Sequence, residues 1–82
     1  MILNQIKKFR EEKNLTQEQL ASAVQVSRQT IIAIEKGNYE PSLGLALKLA
    51  HFFKIPIEEL FVLKWRYRTY AEMIQKISVK SA

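Results

Sequence analysis

Arg28 and Gln29 stand side by side in the stretch SRQTIIAIEKG, Ser27–Gly37. Both side chains end in planar groups that form paired hydrogen bonds. An arginine can grip guanine O6 and N7 in this way, and a glutamine can grip adenine N6 and N7. Ile32, one turn further on, offers an apolar surface that suits a thymine methyl. At the start of a helix, these residue types suit reading base edges rather than breaking bonds.

Acid–base chemistry is poorly supplied. The sequence has no Asp, no Cys and one His. His51 lies in the apolar stretch ALKLAHFFK and reads as a structural residue. The pairs Glu11–Glu12 and Glu58–Glu59 are adjacent, and adjacent helical residues do not face each other. With only Gly37 and Gly44, no glycine-rich phosphate loop can form. No catalytic residue, metal ligand or cofactor is expected, and the chain does not read as an enzyme.

Other elements of the chain must position Arg28 and Gln29. Ile2, Leu3, Ile6 and Phe9 recur at helical spacing, so a first helix is expected over about 2–13. Asn14 tolerates the left-handed conformation that ends many helices. Thr16 and Gln19 have the spacing of a capping box for a short second helix, about 17–24. Ser27 caps a third helix, about 28–36, after a tight turn. In that helix Ile31 and Ile34 share the inner side. Gln29, Ile32, Ala33 and Lys36 point away from it, with Arg28 beside them. The small Ala21 lets the third helix cross closely over the second.

Gly37 closes the third helix. Ser42 caps a fourth, Leu43 to about Phe53. Pro56 opens a fifth that includes Leu60 and Phe61, with Glu58 and Glu59 in the first turn, where the helix dipole favours them. The fold class expected is therefore all-α: a compact five-helix bundle containing a helix-turn-helix, with a C-terminal tail. The domain spans 1–63 and the tail 64–82. The tail reads as helix from the 3, 4, 3, 4, 3 spacing of Leu60, Leu63, Tyr67, Tyr70, Ile74 and Ile77. The alternating KWRYRTY also suits a strand.

The chain has 82 residues, 48% of them hydrophobic, which suffices for one modest core. A chain this short buries only roughly 60% of its unfolded surface, so a second copy would help stability. No apolar run reaches the roughly 18 residues a membrane span needs. A soluble, cytoplasmic protein with no membrane partner is expected. The formal net charge is +5 and is uneven. Residues 1–40 hold six Lys/Arg against five Glu, whereas residues 62–82 hold five against one. A basic balance invites a polyanion, but the excess lies in the tail. The case for DNA thus rests on residue positions.

The pieces LTQEQLA, VSRQTI, IEKG, the Pro41-Ser42 pair and IEELF together resemble the Xre family of regulators, the type shared with phage Cro and phage repressors. The resemblance spans residues 2–61. It implies a lambda-repressor-like domain whose third helix enters the major groove of double-stranded DNA. It implies base contacts from Arg28, Gln29, Ile32 and Ala33, and phosphate contacts from Gln17, Ser27 and the loop at Asn38. Lys36 is a further phosphate candidate. Arg10 and Glu35 match a structural ion pair. The family often has glycine where Gln25 stands, and a left-handed residue there costs roughly 1 kcal/mol.

The function expected is a transcriptional regulator, by default a repressor, bound to an inverted-repeat operator as a homodimer. Leu60, Leu63, Trp65, Tyr67 and Tyr70 are the expected dimer contacts. An antitoxin of the same fold, with a toxin as protein partner, is the nearest alternative.

Overall fold

The computed structural model describes residues 2–63 together with 71, 72, 74 and 75. The elements run β1 (Ile2–Asn4), α1 (Ile6–Glu12), α2 (Gln17–Ala23), α3 (Arg28–Glu35), α4 (Leu43–Phe53), α5 (Ile57–Leu60) and β2 (Phe61–Leu63). The fold is mainly helical, as expected, with one small sheet added.

The sheet corrects two expectations. Residues 2–4 do not begin the first helix. They form β1, antiparallel to β2, in the register Ile2↔Leu63, Leu3↔Val62 and Asn4↔Phe61. The Gln5 N–H continues the ladder to the Leu60 carbonyl at 2.8 Å. Helix α1 begins only at Ile6, whose N–H donates to Asn4 Oδ1 at 3.2 Å. Phe61, expected inside the fifth helix, is where α5 gives way to strand. Aliphatic residues at both ends of the domain satisfy helix and strand patterns equally, and cross-strand pairing decides between them. Of the tail, Ala71, Glu72, Ile74 and Gln75 are helical. The stretch KWRYRTY lies outside the described residues.

The other helices start where their caps predict. Thr16 Oγ1 accepts the Gln19 N–H at 3.0 Å, and Gln19 Oε1 accepts the Thr16 N–H at 2.8 Å, a complete capping box. Ser27 and Ser42 accept from Thr30 and Leu45, both at 3.2 Å.

Four helices also end alike. Asn14, Gln25, Gly37 and Lys54 have φ of 56°, 62°, 79° and 58°. In each case the next residue donates its N–H back to a carbonyl five positions earlier: Leu15 to Arg10, Val26 to Ala21, Asn38 to Ala33 and Ile55 to Ala50. This is the Schellman closure. Three of these donors are the aliphatic residues Leu15, Val26 and Ile55, and all three are half-buried. Their burial favours the turn and offsets the left-handed strain of the residue before.

The core joins all five helices. Ile6, Leu20, Ala21, Val24, Ile31, Ile34, Leu49, Ala50, Phe53 and Leu60 are buried together. Phe9 and Phe52 lie beside Phe53, with ring centroids 6.0 and 5.2 Å away. Ala21 is buried between α2 and α3, where a larger side chain would force the helices apart.

Candidate nucleic-acid interface

The Ser27 cap decides which residues α3 shows. By starting the helix at Arg28, it turns Ile31 and Ile34 into the core and leaves Arg28, Gln29 and Lys36 exposed. Ser27 Oγ also lies 3.0 Å from Thr30 Oγ1, which further fixes the first turn. Among the described residues, neither the Arg28 nor the Gln29 side chain has a hydrogen-bond or ion-pair partner. Their donors and acceptors are free for a ligand. Ile32 and Ala33 are half-buried, so they form the shoulder of the exposed face and not its crest.

The far end of α3 is clamped. Glu35 accepts from Arg10 Nε at 2.7 Å, from Arg10 Nη2 at 3.1 Å and from Gln17 Nε2 at 3.2 Å. Arg10 Nη1 donates to the Leu15 carbonyl at 2.8 Å. The hydrogen bonds to Glu35 raise the Arg10 pKa above its ordinary value, against the opposing effect of burial. Arg10 is thus turned inward, with Nε, Nη1 and Nη2 each committed within the domain. Asn4 Nδ2 donates to the Ile34 carbonyl at 2.7 Å. Strand β1, α1 and the first residue of α2 therefore all hold the C-terminal end of α3, while its N-terminal end stands free.

The expected phosphate contacts are scattered more than a sequence shows. Ser27, Lys36 and Asn38 are exposed, whereas Gln17 is half-buried with one amide N–H committed to Glu35. The Asn38 backbone N–H closes α3, which leaves its side chain for a ligand. Leu60 is fully buried in its own core. That corrects its expected place at a dimer surface, because a side chain with no exposed area has none to offer a partner. Leu63 is exposed. Trp65, Tyr67 and Tyr70 lie outside the described residues. Sequence reasoning missed Asn4 altogether; an Asn ahead of the first helix carries a capping signal, but nothing local points to Ile34.

A helix-turn-helix family model matches residues 6–60. The chain belongs to the Xre-type helix-turn-helix family. This family member is 59% identical over 59 residues to the HTH-type transcriptional regulator MJ0272 of Methanocaldococcus jannaschii, covering 72% of this chain and 89% of that one. It is 40% identical over 60 residues to the cryptic phage CTXphi transcriptional repressor RstR of Vibrio cholerae, covering 73% of this chain and 54% of that one. Its fold matches the crystal structure of a putative DNA-binding protein from Bacteroides fragilis, with a TM-score of 0.67 and 31% identity over 74% of this chain and 98% of that one. The Xre-type chain is accordingly a transcriptional regulator with a helix-turn-helix DNA-binding domain, and not an enzyme. No helix among the described residues is long and apolar enough to cross a membrane.

Proposed function

We propose that this regulator is a cytoplasmic repressor that binds an inverted-repeat operator as a homodimer. Arg28 and Gln29 read base edges in the major groove, and Ile32 and Ala33 supply the apolar shoulder beside them. Ser27, Lys36, Asn38 and the remaining N–H of Gln17 take phosphate. The observation that carries this reading is the free Arg28–Gln29 pair at the capped start of a helix whose other end is immobilised. A rigid helix presenting unpartnered, bidentate side chains at its N-terminus is what groove readout requires. Repression is supported by the likeness to RstR, a repressor by name. Residues 1–63 form the DNA-binding domain, and the tail from residue 64, with Leu63, adds to the contact between copies.

The test is selection from a random duplex library with the purified chain. The reading expects an inverted repeat with half-sites about 34 Å apart along the helix axis. Enrichment of a single, unrepeated site would remove the dimeric part. No enrichment by folded protein would remove sequence reading itself.

A further inference from the structure

Helix α4 turns one face inward and leaves the other uncovered. Ala46, Leu49, Ala50 and Phe53 are buried. Leu43, Leu47 and His51 follow one another at successive turns on the outer face, with Gly44 and Lys48 beside them. Leu43 and Leu47 are 72% and 51% exposed, the most of any large hydrophobic residue among those described. Two leucines on adjacent turns make one contiguous apolar surface. Beside it a groove runs between α4 and the α2–α3 turn. Its two open hollows, about 250 and 430 Å³, share Val24 and Lys48 as walls. The Lys48 ammonium donates to Gln25 Oε1 at 3.3 Å and has two N–H groups to spare. Gly44 keeps the space above α4 open: a Cβ there would meet nothing nearer than Ser42 Oγ at 4.0 Å. Glycine weakens a helix, and no described residue crowds this position. A second helix lying across α4 would use the gap, because a small residue lets two helices approach closely.

We propose that this face of α4, with the groove beside it, is a docking surface for an acidic, leucine-bearing helix of another protein. Charge selects the occupant. Residues 41–57 carry Lys48, Lys54 and His51 and no acidic residue. A partner that sets glutamates against Lys48 and Lys54 is both attracted and oriented. The chain's own tail is the wrong occupant, since residues 62–82 hold five Lys/Arg against one Glu. A second copy would bring the same lysines to face these. A duplex would take the lysines but leave Leu43 and Leu47 in water. Length agrees with a helix. The 11 residues of α4 span about 16 Å, which matches about three turns of a partner whose leucines recur at i, i+4 and i+7. The surface uses neither Arg28 nor Gln29, so the proposal does not depend on base reading.

The test is fluorescence anisotropy of the full chain with a labelled synthetic peptide, cross-linked to hold it helical. The peptide carries leucine at i, i+4 and i+7 and glutamate on its flanks. Circular dichroism confirms that each variant is folded. The proposal expects saturable binding, weakened roughly tenfold or more by Leu47→Glu, Lys48→Glu and Gly44→Leu. Gly44→Leu discriminates best, since leucine strengthens the helix while it fills the gap. Lys7→Glu on exposed α1, which changes net charge as Lys48→Glu does, should bind like the parent, and so should Arg28→Ala. A folded parent that does not bind the peptide would overturn the proposal. So would equal binding of a peptide with lysine in place of every glutamate, or a loss with Lys7→Glu as large as with Lys48→Glu. A Leu47→Glu chain that keeps the peptide but loses duplex affinity would give the face to DNA instead. One that keeps the peptide but loses self-association in sedimentation would give it to a second copy.

Discussion

Arg10 of α1 and Glu35 of α3 meet at 2.7 Å, with their side chains 11% and 4% exposed. The pair joins the first helix to the last residue of the helix that carries Arg28 and Gln29. Removing one partner of a buried pair costs about 3–5 kcal/mol, because the other charge is left desolvated. A domain of this size has only about 4–12 kcal/mol in total. Arg10→Ala is therefore expected to be largely unfolded on mild heating. The double variant Arg10→Met, Glu35→Leu should recover most of the loss, since no orphan charge remains. Thermal denaturation of both decides; an Arg10→Ala chain as stable as the parent would contradict the clamp. Pairing raises the Arg10 pKa. Its stabilisation is therefore fully present below the unfolded arginine value and is lost only as pH rises through the folded one. Arg10 should therefore contribute no pH dependence between about pH 6 and 9.

Gln25 occupies a left-handed position, φ 62°, in the turn between α2 and α3. Glycine relieves about 1 kcal/mol of strain there and gives some back through unfolded-state entropy. Its side chain has one exposed bond, to Lys48 at 3.3 Å, whose loss matters little. Gln25→Gly should raise the melting temperature by a few degrees, roughly 2–6 °C. Gln25→Val should lower it, as a branched side chain suits this conformation worst. Reversal of that order in differential scanning calorimetry would mean the turn is built otherwise.

Asn4 has two jobs: Nδ2 donates to Ile34 and Oδ1 accepts from Ile6. Asn4→Asp keeps the acceptor and sets a carboxylate against the Ile34 carbonyl. It should cost about 1–3 kcal/mol, and Asn4→Ala about 1 kcal/mol. Urea midpoints measure both. Equal stability of all three chains would show that the β1–α3 link contributes nothing.

Lys36 and Arg28 should fail differently on DNA. If Lys36 meets phosphate as proposed, Lys36→Ala should lower affinity uniformly across sequences and reduce the salt slope by about 0.9. Arg28→Ala should cost roughly 1–3 kcal/mol on the cognate site and little on random duplex. Anisotropy titrations at several salt concentrations separate the two; a sequence-dependent loss for Lys36→Ala would exchange their roles.

Much of this was legible in the chain because its signals are local. Thr16, Ser27 and Ser42 mark helix starts through oxygens that reach three residues on, and the period of Ile31 and Ile34 reveals the inner side of α3. Asn14 was readable as a left-handed position, and Gln25 only through the glycine that the family often has there, but Lys54 was not. Its signal is the aliphatic Ile55 that follows it, as Leu15 follows Asn14 and Val26 follows Gln25. The ribbon was hidden because Ile2 and Leu3 continue a helical pattern, and only residues sixty positions away make them a strand. Leu60 was misplaced for a related reason: a hydrophobic period shows that a face is buried, not by which chain.

The central claim is that Arg28 reads a base. The most direct measurement is the difference between sequences selected by the parent chain and by Arg28→Ala. The account predicts an inverted repeat from both, with preference lost at one symmetry-related position in each half-site of the variant's motif and kept elsewhere. Identical motifs from the two proteins would contradict it.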